Sequence, residues 1–96
     1  MAKSIIHRLV EHFGKEVQID KIQEEAQELA LALHQSKCPT KCPIKSQDNI
    51  YDELADMTIM MKQVPYLFDE EIINRRVDIK LKKAYDKYLS NEVTNQ

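Results

Sequence analysis

The chain has 96 residues, 43% of them hydrophobic and 31% charged, with a formal net charge of −2 and an isoelectric point near 5.9. That length allows one domain with a modest core, and that composition excludes a disordered chain. The near-neutral charge gives no electrostatic footprint for nucleic acid, and no stretch approaches the roughly 20 apolar residues of a membrane span.

One glycine, Gly14, and three prolines, Pro39, Pro43 and Pro65, are too few turn-formers for a many-stranded sheet. The expectation is an all-α, four-helix bundle-like domain. No apolar run follows the N-terminal Met-Ala-Lys-Ser, so no signal peptide is expected and a cytoplasmic location follows. Two cysteines without a secretory signal give no disulfide framework.

In chain order, the first helix is expected over 4–14. Ser4 caps it, Ile5, Ile6, Leu9, Val10 and Phe13 are its apolar positions, and Gly14 stops it. The second runs over 17–35, with Ile22, Ala26, Leu29 and Leu33 as its buried stripe. Residues 36–47 carry Pro39, Pro43, Cys38 and Cys42 and read as a loop. The third helix is expected over 48–67. Asp48 is its N-cap, Ile50, Leu54, Met57, Met61 and Val64 form its stripe, and Pro65 ends or kinks it. The fourth is expected over 69–90. Asp69, Glu70 and Glu71 suit its positive N-terminal end, and Ile73, Val77, Leu81, Ala84 and Tyr88 face the core. Residues 91–96 are expected to fray.

The second and third helices carry the same arrangement of acids. Glu24, Glu25 and Glu28 fall on Asp52, Glu53 and Asp56 when Ile22 is laid on Ile50. At about 100° per residue, Glu25 and Glu53 lie about 60° to one side of their stripes, and Glu28 and Asp56 about 120° to the same side. Each is a pair three residues apart at the margin of a stripe expected to be buried, with Glu24 and Asp52 further round. Packing the two helices antiparallel through those stripes sets four carboxylates facing one another. Such a group repels itself or holds protons unless a cation joins it. All-oxygen ligation favours Mg²⁺ or Mn²⁺, and Zn²⁺ is disfavoured because neither segment holds His or Cys.

Glu24-Glu25-Ala-Gln-Glu28 and Glu53-Leu-Ala-Asp56 resemble the EExxE and ExxD motifs of the all-α, MazG-like nucleoside triphosphate pyrophosphohydrolases, relatives of the dimeric dUTPases and phosphoribosyl-ATP pyrophosphohydrolases. Phe13 to Ile22 looks like that family's lead-in to the first motif, and Ile73 to Leu81 looks like its third helical segment, so the resemblance covers most of residues 5–85. It implies Mg²⁺-dependent cleavage of a nucleoside triphosphate between the α and β phosphates, giving a nucleoside monophosphate and pyrophosphate. By position, Glu25, Glu28, Glu53 and Asp56 would be the metal ligands, and Glu24 a supporting acid or the base for the attacking water.

On the fourth helix Arg76, Lys80, Lys83 and Lys87 recur along one side, with Asn74, Arg75 and Lys82 nearby. Arg76, Lys80 and Asn74 are the expected phosphate contacts, from the same or a neighbouring subunit. Asp78 is left between the metal site and a pair with Lys82. His34, Cys38 and Cys42, four residues apart, make a poor zinc site and read as a surface loop. Phe13 is expected in the core, and His7, His12 or Tyr51 could stack on a base. Leu31 and Ile59 lie opposite their stripes at matching places, which points to a homodimer or homotetramer. The rival to the enzyme is a non-enzymatic helical adaptor. A di-iron bundle is disfavoured by the absence of Glu-x-x-His pairs.

Overall fold

In a computed structural model that describes residues 3–37 and 43–91, four α-helices and no strand occur among the described residues. They are α1 (Ile5–Phe13), α2 (Lys15–Ser36), α3 (Pro43–Leu67) and α4 (Glu70–Ala84), the last continuing into a single π-helical turn, Tyr85–Leu89. The all-α expectation holds. Cys38 and Cys42, the centre of the expected loop, and the last five residues lie outside the described residues.

Local chemistry fixes the helix ends. Ser4 Oγ accepts from His7 N–H at 3.1 Å, the N-cap bond expected of it. Replacing Ser4 with Ala should cost about 1 kcal/mol of stability, measurable by urea unfolding. Gly14 both ends α1 and opens α2, with its N–H on Val10 C=O and its C=O accepting from Gln18 N–H. Its φ of 89° is strained for any side chain, and α2 starts at Lys15, two residues earlier than expected. Asp69 caps α4 by accepting from Glu71 N–H and Ile72 N–H, with Glu70 and Glu71 in the first turn.

Two boundaries differ from expectation on α3. The helix begins at Pro43, so Asp48 lies within it and not at its cap. Proline is well suited to a first helical position, since its missing N–H would lack a partner there anyway. Pro65 does not stop the helix, which runs two residues past it. The hydrogen bond that Pro65 forgoes belongs to the last turn, where the ladder is ending regardless.

The body of the fold is the α2–α3 pair, with α1 laid against it. Gln18 pairs with Gln63 while Glu25 meets Glu53 and Asp56, so positions rise on one helix as they fall on the other. The two are therefore antiparallel. His7 of α1 stacks on Tyr66 of α3, ring centroids 4.4 Å apart.

The buried seam is turned from the stripe expected in the sequence. On α2 the buried residues are Gln18, Glu25 and Ala32, while Ala26 and Leu33 are exposed. On α3 they are Met60, Gln63 and Leu67, while Leu54 and Met61 are exposed. At about 100° per residue, both seams are displaced by about 60° or more toward the acids, and in the same sense. Glu25 thus sits in the seam and not at its margin. The exposed apolar residues again match in pairs, Ala26 with Leu54 and Leu33 with Met61. Phe13, expected in the core, is half exposed.

The fourth helix departs furthest from a closed bundle. It makes scarcely any contact with α1, α2 or α3 and has no buried residue. Val77, Leu81 and Tyr88, expected to face the core, are exposed, Leu81 to 63%. The radius of gyration is 18.1 Å, against about 12.5 Å for a compact domain of this length. Among the described residues only four apolar side chains are buried, Val10, Ala32, Met60 and Leu67, a small core for the chain.

Candidate metal centre

Three of the four expected ligands converge. Oxygens of Glu25, Glu53 and Asp56 all lie within 4.8 Å of one another. The rotation of both seams brings them there. Glu25 is 6% exposed, Glu53 is half-buried, and Asp56 stands at the open side. An octahedral ion with bonds near 2.1 Å sets neighbouring ligand oxygens about 3 Å apart and opposite ones about 4.2 Å apart. Small side-chain rotations would bring the three within that span.

The electrostatics point the same way. Glu25 Oε2 and Glu53 Oε2 are enclosed and without a hydrogen-bond partner. An enclosed carboxylate oxygen needs a donor or a cation. Burial pushes the Glu53 carboxyl above its ordinary range, and repulsion from Glu28, Glu25 and Asp56 pushes it further. Lys21 partly answers the charge, its Nζ 3.5 Å from Glu25 Oε1 and 3.7 Å from Glu24 Oε2, and these acids hold its own pKa above the usual lysine value. Lys21 is half exposed and hydrogen-bonds neither orphaned oxygen, so it leaves part of the cluster's charge unanswered.

The remaining sequence candidates lie around or away from this cluster. Glu28 is exposed and close enough to act on Glu53, but does not join the converging set. With Glu24, Gln27 and Leu31 it lines a shallow outer depression. Glu24 is exposed there beside Lys21, and Asp52 is exposed beyond the cluster. Arg76 and Lys80 line a separate shallow depression on α4 with Ile79 and Lys83, and Asn74 is exposed on the same helix. Within one chain none of these three is brought to the acids. Lys82 pairs with Asp86 at 3.3 Å and not with Asp78. Tyr51 is exposed, whereas His7 is taken up by Tyr66 and Glu11, and His12 packs edge-on against Phe13.

A cavity of about 390 Å³ opens beside the cluster, lined by α1, α2 and α3. Glu25 and Asp56 belong to both. Leu9, Phe13, Val17, Ile59 and Met60 give it apolar walls, and Gln18, Gln63 and Lys21 its other polar groups. Ile59, read in the sequence as an outer interface residue, is one of these walls. The two glutamines and Lys21 were missed in the sequence. Lys21 had a signal, because it stands four residues before Glu25 and so shares its face. The glutamines had none, since an isolated Gln at a helical position ordinarily marks a solvated face. Compared with known proteins, the chain matches no family model, no curated protein and no solved structure.

Proposed function

We propose that this chain is a Mg²⁺-dependent nucleoside triphosphate pyrophosphohydrolase of the MazG-like kind, cleaving its substrate between the α and β phosphates. The observation that carries the reading is the convergence of Glu25, Glu53 and Asp56 with two enclosed, unpartnered carboxylate oxygens. The donor set fits a hard divalent ion, Mg²⁺ or Mn²⁺, because it is all oxygen and has one open side. Such an ion would supply positive charge that lowers the cost of charge on the reacting phosphoryl group and on the attacking water.

The chain's own residues supply the rest. Glu25, Glu53 and Asp56 would hold the ion, and the buried seam around Glu25 would keep bulk water from that side of the cluster. Glu24, on the outer side with Glu28, would take the proton of an attacking water. Lys21 balances Glu25 and offers a donor to a phosphate oxygen. The products are a nucleoside monophosphate and pyrophosphate.

The working unit in this reading is a homodimer or homotetramer. The exposed apolar face of α4, the matched exposed residues of α2 and α3, and the small core all call for cover from a second copy. Arg76, Lys80 and Asn74 would then reach the phosphates of a neighbouring copy's site. The rival reading, a helical adaptor, draws on the same unpaired α4. The place of action is expected to be the cytoplasm. No helix among the described residues is long and apolar enough to cross a membrane.

Pyrophosphate release from a panel of triphosphates with Mg²⁺ tests this directly. Release is expected for at least one of them, and excess chelator should abolish both turnover and the affinity that the phosphates contribute. Undiminished nucleotide binding in chelator, or no release from any triphosphate, would favour the adaptor.

A further inference from the structure

The cavity beside the acids combines three features that a cation site alone does not need. Its walls are apolar, its floor holds two buried amides, and it opens onto the same carboxylates that would hold the metal. At about 390 Å³ it falls within the usual range of roughly 300–1,000 Å³ for small-molecule pockets. Phe13, half exposed, offers a ring face or edge on its wall.

The floor is unusual in its unspent hydrogen bonds. Gln63 is 1% exposed and Gln18 5%. Gln18 Nε2 donates to Gln63 Oε1 at 2.6 Å, whereas Gln63 Nε2 is directed only at the thioether of Met60, 3.7 Å away. Gln18 Oε1 accepts no hydrogen bond among the described residues. The joined amides therefore keep an acceptor and donors in reserve at the floor of an apolar cavity. Two hydrophobic side chains would fill that space better, so a pair with spare capacity points to a planar, polar-edged ligand.

We infer that this cavity seats the nucleobase of the substrate and that the Gln18–Gln63 pair reads the base's hydrogen-bonding edge. The inference rests on the hydrolase reading for the phosphate tail, which the shared residues Glu25 and Asp56 place next to the base. The apolar walls take the faces of the ring. The pair is reversible. Turning both amides over keeps the bond between them, with Gln63 now the donor, and exchanges the donor and acceptor offered to the ligand. One floor can thus meet a keto base or an amino base, so the wild-type chain accepts both kinds.

Gln63→Glu removes that reversibility. At a pH where the carboxyl at 63 is ionised it only accepts, so Gln18 must donate to it, and the pair then offers two acceptors, which the two N–H groups of an exocyclic amine can meet and a keto oxygen cannot. Amino bases should gain on keto bases, with the kcat/KM ratio of dCTP to dUTP rising at least tenfold over wild type. A folded, active variant with the ratio unchanged would overturn the assignment while leaving the hydrolase intact.

A second measurement avoids the variant. In wild-type protein labelled with ¹⁵N, millimolar nucleosides in chelator should shift the side-chain NH₂ signals of Gln18 and Gln63, without metal or turnover. Silent amides beside measurable hydrolysis would refute the base pocket alone. Shifting amides without hydrolysis of any triphosphate would support the pocket and refute the hydrolase. Failure of both measurements would refute both.

Discussion

Glu53→Gln should reduce pyrophosphate release by about 10³-fold and yet raise the melting temperature of the metal-free protein at neutral pH. The loss follows from position. Residues that merely orient a metal ligand cost about 10- to 100-fold when replaced, and a direct ligand on a three-residue site costs more. The gain follows from charge. Glu53 is held above the ordinary carboxyl value of 4.5 by burial and by Glu28, Glu25 and Asp56. Between the ordinary value and the raised one, metal-free native protein therefore keeps a proton that the unfolded chain has released. By linkage, its stability falls as pH rises from about that ordinary value through the raised one, and the deficit persists above it. The amide of the Glu53→Gln variant has no such proton to lose, so the variant should lack this part of the slope.

The same sign governs metal binding in the wild type. The ion must displace the proton, so affinity for Mg²⁺ or Mn²⁺ should rise with pH across the window in which Glu53 ionises. Calorimetry in two buffers of different ionisation enthalpy would report the released proton. Saturating metal should raise the melting temperature of wild type and leave Glu53→Gln nearly unmoved. A variant that still binds the ion and turns over normally would remove Glu53 from the site.

The second large effect concerns α4. Val77 and Leu81 are exposed in a single chain, so if a second copy covers them, Val77→Asp with Leu81→Asp should hardly alter helix content while leaving only monomers in light scattering. Activity should fall with it, because Arg76 and Lys80 would no longer reach a neighbouring site. Mixing two inactive proteins gives a sharper test. If each site draws Glu53 from one chain and Arg76 from another, Glu53→Gln and Arg76→Ala subunits mixed equally as dimers restore about a quarter of wild-type sites. Arg76 acting on its own chain's acids would yield no recovery.

Helix periodicity made the four helices and both acidic pairs legible, because a turn of about 100° per residue fixes which side chains share a face. It misplaced the seam. Apolar spacing alone turns Leu33, Leu54 and Met61 inward and leaves Glu25 at the edge. The structure buries Glu25 and Gln63 instead, because tertiary packing chose a face that no single-helix pattern identifies. Glu28 illustrates the same limit at the site. Its spacing from Glu25 matches that of Asp56 from Glu53, yet only Asp56 joins the cluster. The two helices share a pattern, but the cluster does not draw equally on both. The isolation of α4 could not be read either. An amphipathic helix has the same sequence whether its apolar face is covered by its own chain or by another.

Gly14 has a mechanical consequence. It is the last cap of α1 and the first of α2, so the backbone of one residue, with no linker, sets the angle at which α1 lies against α2 and α3. Movement at a single residue has a defined axis, unlike the swing of a tether. Leu9 and Phe13 lie on one side of that joint, and Val17 and Gln18 on the other, so rotation there alters the width of the cavity. Glu25, Glu53 and Asp56 belong to α2 and α3 and stay where they are. The acids thus stand on a frame of two helices, while the third wall of the cavity takes its position from the backbone angles of a single residue.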